Sequence, residues 1–480
     1  MPDNDEQNSA NSSCSLSHGD QAKLVAAAIS QPSSRIAPIF VGEGGYGDIV
    51  QAVGHPGHRH FFVPAEADKS LSSEDLAYLK IKGCFTLPTN SEQLVRAYLL
   101  FVHPSFPVLD GQNFSQEYAS GGIDSINLLL LWSMFSIAAS YVPGHARSAV
   151  KESYVQRAKL LFDLAYENDK IVLIQSTLLL SFWFAEAEDI KQSWYWTGIA
   201  FGIAQTLGIH RDLKSGSKGG ATVERGIWRN IWRCCIVRDT WLAFGMGRPL
   251  RWSTANSTCP LLPTSLHPFQ NVVLDGEELY SASEASGFLE IWQDLVTVTE
   301  TLREFLTSKE TQNASIMARV EALRSPGDDS KMTLLLKIAS RHLKLHQYAA
   351  LFALSQRYAD VGKSAAVAGT TSIVTAFLAD STTEYVAPTA IPLIVPAMLS
   401  HVKASVVSSP KQSKHDLDTH FRFLSMIEHN YPAASIVRRV FLAVQSVTAT
   451  DYNIAAQAED LVPPGFDWLP ELGQQKIGVV

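Results

Sequence analysis

Residues 194–207 read WYWTGIAFGIAQTL, and their apolar spacing decides the fold class. Trp196, Ile199, Ala200, Ile203, Ala204 and Leu207 fall at i, i+3, i+4, i+7, i+8 and i+11. That spacing lines one face of an α-helix. Gly208 follows the last periodic residue, where a helix is expected to stop. Residues 214–221 then have loop composition, and a second helix is predicted over 223–244. On it Arg225, Arg229 and Arg233 recur every four residues, which predicts one exposed or partner-facing stripe. Ile227, Ile231, Cys234 and Cys235 fall on another face. Pro249 closes the region, and Pro260, Pro263 and Pro268 keep the next stretch extended.

Working outward, the same helical period recurs. Ser73, followed by Glu74 and Asp75, places a capping residue and acids at a helix start. Residues 126–142 and 171–185 are apolar runs interrupted by Ser, Asn and Gln, and they read as buried core helices, not membrane spans. Helices are further predicted over 283–308, 332–357, 364–379, 390–407, 416–427 and 433–447. Pro392 and Pro396 are expected to kink the fourth of these or confine its start. No stretch sustains a two-residue alternation. The chain is therefore predicted to be all-α, with one large helical domain over 36–460. Residues 1–35, rich in Asn, Ser, Asp and Gln, read as a disordered lead-in. Residues 461–480 carry Pro463, Pro464 and Pro470 and read as an irregular tail. The Gly- and His-rich segment 40–64 reads as loop.

Composition narrows the function classes. The 480 residues are 46% hydrophobic and 18% charged, against a usual charged share of about 25%. A mainly disordered chain is excluded. The net charge of -8 lacks the basic footprint of a dedicated nucleic-acid binder. Five scattered cysteines make no disulfide framework, which favours a reducing compartment. The acidic, polar start has no secretory signal.

Chemical motifs are nearly absent. Gly362-Lys363-Ser364 resembles the end of a phosphate loop, but Arg357 stands where the cradle needs glycine. The glycines at 42, 44, 45 and 47 make no dinucleotide fingerprint, because no strand is predicted before them and no helix clearly follows. His55, His58 and His60 have no thiol or carboxylate at ligand spacing and read as a solvated loop. Cys234 and Cys235, adjacent on a helix, point about 100° apart and read as core. Glu186, Glu188 and Asp189 read as a solvated turn. No nucleophile elbow appears. These readings assign no catalytic residue, no metal and no cofactor.

Three stretches carry a resemblance. The first is residues 79–88 with YLLFVHPSFPVLD at 98–110 and Phe114; it contains His103, Pro104, Phe106 and Pro107. The second is residues 194–200 running through 204–212, with Trp196, Gly208, His210 and Arg211. The third is residues 227–232, then Arg238 and Asp239, then 245–249; it contains Trp228, Trp232, Gly247, Arg248 and Pro249. In order and spacing they resemble the regulatory "middle homology" domain of fungal Zn2Cys6 transcription factors. The likeness extends over roughly 40–401 and is nearest the branch of cutinase and fatty-acid-responsive regulators. Arg233 stands where that family carries an aromatic residue after Trp232.

Physically, the motifs read as scaffold. Pro104 and Pro107 break helix while Phe106 anchors the turn. His210 and Arg211 suit the negative end of a helix. Arg238, Asp239 and Arg248 offer charge-assisted bonds to hold the following turn. The resemblance implies a nuclear transcription regulator, not an enzyme, controlling a secondary-metabolite gene cluster or lipid-use genes. The family's DNA-reading module needs six cysteines and a basic stretch. Before residue 60 there is only Cys14, and acids outnumber the cations Lys23, Arg35 and Arg59. The expected partners are thus a DNA-binding transcription factor or a homodimer, and a small-molecule effector, with no direct DNA contact and no membrane. Nuclear entry has no basic cluster of its own and is expected through a partner. Two alternatives stand beside this: a zinc cluster encoded by a missing upstream exon, and a helical fold reused as a pathway enzyme or ligand-binding protein.

Overall fold

The computed structural model describes residues 36–41, 60–64, 71–143, 148–183, 190–211, 222–252, 257–259, 268–307, 331–358, 360–407 and 410–450. By their contacts these fall into two units. One gathers Met1–Ser70 with Thr206–Gly208 and Leu213–Gly219; the other gathers Leu71–Gln205, Ile209–Asp212 and Gly220–Val480. The predicted lead-in 1–35 and tail 461–480 lie outside the described residues, as do His55, His58, the glycines at 42–47 and the acids at 186–189.

In the first unit, strands β1 (Ile36–Phe40) and β2 (His60–Pro64) pair antiparallel, with Phe40 opposite His60. This corrects two expectations. Strand β2 closes the predicted loop, and β1 directly precedes the glycines at 42–47, where no strand was expected, because Ile, Phe and Val are concentrated at these two places. His60 is buried, not solvated; its Nε2 donates to the Gly208 carbonyl at 3.1 Å, and its ring lies 5.2 Å from Phe40. Gly208 itself takes φ +70°, and a Cβ there would come within 2.3 Å of Phe40. Only glycine fits both demands.

The second unit is helical, as the periodicity predicts. Helix α1 (Ser73–Ile81) is capped by Ser72, whose Oγ accepts the Asp75 amide at 3.0 Å, one residue earlier than expected. Helix α2 (Ser91–Ala97) runs into a π-helical turn at Tyr98–Val102. Helices α3 (Gly111–Gly121), α4 (Leu128–Ala138), α5 (Ser148–Asp163) and α6 (Lys170–Leu180) follow. Residues 129–138 of α4 are all buried, and α4 packs on both α5 and α6. That burial accounts for the apolar run. Among the described residues no single helix is long and apolar enough to cross a membrane.

Helix α7 (Ile190–Leu207) ends at Gly208 as predicted, and α8 (Thr222–Met246) is 25 residues long. A short hairpin, β3 (Val273–Leu274) and β4 (Glu277–Glu278), turns through Asp275 and Gly276. Then come α9 (Ala282–Thr307), α10 (Leu334–Tyr358), α11 (Asp360–Ala379), α12 (Ala390–Val407), α13 (Pro410–Ile427) and α14 (Pro432–Thr450). α9 packs between α8 and α10, α10 on α11, and α12 on α13. Lys363 and Ser364 lie within α11, so no phosphate loop forms there. Pro396 sits inside α12.

The arginine stripe on α8 is also corrected. Arg233 is buried and Arg229 half-buried; the Arg225 side chain lies outside the described residues. Four-residue spacing identifies a shared face, not an exposed one. Here α8 is enclosed by α6 and α9, so most of its circumference from Asn230 to Trp241 is buried.

Candidate functional site

The densest buried charge lies on α8. Asp239 is fully buried. Its Oδ1 accepts from Arg251 Nη1 at 2.9 Å, and its Oδ2 accepts from Arg303 Nη1 at 3.2 Å. The Arg251 backbone amide donates to the same carboxylate at 3.3 Å. Arg303 Nη1 also donates to Thr240 Oγ1 at 2.9 Å, and Nη2 donates to the Trp252 carbonyl. Burial pushes both guanidinium groups down from their usual range, and the Asp239 charge opposes that in each. One carboxylate thereby ties the chain leaving α8 to α9. Asp239 thus holds that turn as expected, whereas Arg248, expected to share in it, does not bond the carboxylate. Arg248 lies instead over the Trp194 ring at 5.2 Å, where Arg251 also stacks at 3.3 Å.

Arg238, the preceding residue, faces elsewhere. It is 6% exposed. Its Nε donates to Ser181 Oγ at 2.8 Å, its Nη2 donates to the Ser181 carbonyl, and its guanidinium lies 4.0 Å over the Phe182 ring. No carboxylate among the described residues pairs with it. Burial, helped by the like charge of Arg251, pushes it down to about 9, so it remains a cation at neutral pH.

Beside Arg238 is a cavity of about 60 Å³. Phe106, Trp241, Trp292, Leu295, His342 and His346 line it with Arg238. Phe106 meets Phe182 and Trp292 edge to face, at 5.0 and 6.5 Å. His342 Nε2 accepts the Ala387 amide at 3.1 Å, which leaves the proton on Nδ1. That Nδ1 is buried without a hydrogen-bond partner among the described residues. His346 Nδ1 donates to the His342 carbonyl at 2.7 Å, and its ring meets Trp241 at 4.5 Å. Burial pushes His342 down to about 3 and His346 to about 4, so both are neutral.

The motif residues divide among several places. Pro104, Phe106 and Arg238 meet at the cavity. His103 is buried and its Nε2 donates to the Pro268 carbonyl at 2.9 Å. The Pro107 carbonyl accepts from Asn230 Nδ2, whose Oδ1 accepts from Trp292 Nε1 at 3.0 Å. Trp232 and His210 form an aromatic cluster with Trp252, at 6.0 and 5.2 Å from its ring. Trp196 packs edge to face on Phe162 at 5.4 Å. Trp228 is buried and Arg211 half-buried. Gly247 ends α8 at φ +60°, and Pro249 after it is exposed.

Sequence reasoning missed Arg251, Arg303, Ser181, His342 and His346. Arg303 had a signal: it lies four residues after Thr299 and seven after Val296, on the buried face of α9. Cys84, Cys234, Cys235 and Cys259 are buried free thiols, and burial pushes the Cys234 and Cys235 thiols up. Among the described residues no three His, Cys, Asp or Glu side chains are grouped to hold a metal ion.

The geometry of these helices, with their buried charge cluster and small cavity, sets no function by itself, and comparison with known proteins gives the class. Residues 95–331 match the fungal specific transcription factor domain. Over 207 residues it is 34% identical to the cutinase transcription factor 1 beta of Fusarium vanettenii, covering 41% of this chain and 23% of that protein. It is 30% identical to the acetamidase regulatory protein of Aspergillus oryzae, covering 37% of this chain and 23% of that protein. It is 28% identical to the fusaric acid cluster transcription factor FUB12 of Gibberella moniliformis, covering 33% and 25%. The matched region thus spans about a quarter of the length of each of these curated relatives.

Proposed function

We propose that this chain is a transcription regulator acting in the nucleus, not an enzyme, and that it controls a secondary-metabolite gene cluster or lipid-use genes. The observation that carries this reading is the match of residues 95–331 to the fungal specific transcription factor domain. The buried motif residues support it, because His103, Trp196, Trp232 and Asp239 are held in the core by packing and hydrogen bonds. The relatives named for a cutinase and for the fusaric acid cluster support the target classes.

The five cysteines of this sequence fall short of the six a zinc cluster needs, and four of them are buried thiols. DNA contact is therefore assigned to a partner transcription factor, to a homodimer assembled with one, or to a zinc cluster outside this sequence. The test is a tethered reporter. The 480-residue chain is fused to an unrelated DNA-binding domain and expressed in a fungal host. Reporter output that rises or falls against the unfused domain supports the reading. Output unchanged in both activation and repression formats counts against it.

A further inference from the structure

The cavity beside Arg238 combines features that ordinary core packing does not need. A buried cation without an acidic partner is costly, and proteins normally pair it. Arg238 has no carboxylate partner among the described residues, and its Nη1 makes no hydrogen bond there. The His342 Nδ1–H is a second buried donor with no partner. Both residues line the same cavity, and most of its remaining wall is aromatic or aliphatic.

We propose that this cavity binds a small organic carboxylate, its headgroup held by Arg238 and His342 and its short hydrocarbon tail packed among Phe106, Trp241, Trp292 and Leu295. The cavity wall thus carries a cation with an unused Nη1 and a neutral imidazole with an unused Nδ1–H, and guanidinium bonds to carboxylate are among the strong ones. A phosphate or sulfate ion would bring more oxygens than the wall can satisfy. The volume of about 60 Å³ has room for about four water molecules, which suits a short chain and not a fatty acid. Such a ligand would join α8, which carries Arg238, to α10, which carries His342. As an effector site this rests on the regulator reading; as a binding site it does not.

The experiment titrates the purified full chain with sodium propionate and sodium butyrate. Propionamide, 1-butanol and inorganic phosphate are titrated in parallel at matched ionic strength. Binding is read by tryptophan fluorescence, since Trp241 and Trp292 line the cavity, and by the shift in thermal midpoint. The expected result is saturable binding of the carboxylates, at least tenfold weaker for the amide, alcohol and phosphate, and lost in R238M. The variant L295F, which fills the cavity and keeps the charge, should abolish binding as well. Equal binding of acid and amide, tighter binding of phosphate, or no saturation by either carboxylate overturns the proposal. The acid-to-amide ratio on the unmodified chain decides the matter even if R238M does not fold. A chain that regulates the tethered reporter and binds no carboxylate would refute this proposal alone.

Discussion

Asp239 serves two cations at once, and that asymmetry has a consequence for stability. Removing the carboxylate leaves Arg303, which is 1% exposed, without its hydrogen-bonded counter-ion. Removing Arg303 leaves Asp239 still paired with Arg251. Breaking a buried pair by deleting one partner costs about 3–5 kcal/mol. D239N is therefore expected to lose stability near that range, and R303M distinctly less. Chemical denaturation of the two variants beside the parent checks the order; R303M as damaging as D239N would contradict it. The sequence showed Arg238 and Asp239 as a charged pair near a turn, but not their partners. Those lie 12 and 64 residues from Asp239, at Arg251 and Arg303, and Ser181 lies 57 from Arg238. Helix packing fixes such pairings, and no local pattern encodes them.

Helices were legible as elements because a period of 3.6 residues repeats over four or more turns. The 194–207 stretch and the Gly208 stop are the clearest case: α7 ends at Leu207. Short strands were not legible. β1 and β2 have five residues each and are separated by a Gly- and His-rich segment, so composition pointed to loop. Gly208 offers a direct test of the α7 stop. Alanine there meets both a left-handed backbone, worth about 1–2 kcal/mol, and the Phe40 ring. G208A is expected to lower the unfolding midpoint, and G208A/F40A to recover part of the loss by removing the clash. Full additivity of the two single effects would show that the Phe40 contact does not limit position 208.

At the scale of the whole molecule, several histidines are buried neutral. Burial pushes His103, His346 and His420 down to about 4 and His342 to about 3, against an ordinary value of 6.5. Between about 4 and 6.5 the unfolded chain binds protons that the folded chain refuses. Stability is therefore expected to fall as pH drops through that window. Thermal midpoints measured from pH 7 to 4.5 should show it, with a shallower slope in H420Q; an unchanged slope would remove His420 from the explanation. The all-α class, the core role of the apolar runs and the regulatory-domain resemblance were all legible in sequence. The cavity was not, because the 103–106 turn, α8, α9, α10 and residues 387–389 build it together. Its donors, Arg238 and His342, are 104 residues apart in the chain and meet only through packing. Regulation of transcription by this chain can be tested in the cell. The most direct measurement is RNA sequencing of a strain lacking the gene beside its parent, under conditions where the neighbouring genes are expressed. For a transcription regulator, a coherent set of pathway transcripts is expected to rise or fall. Unchanged transcripts alongside a lost metabolite would contradict it and direct the helical domain to enzyme assays.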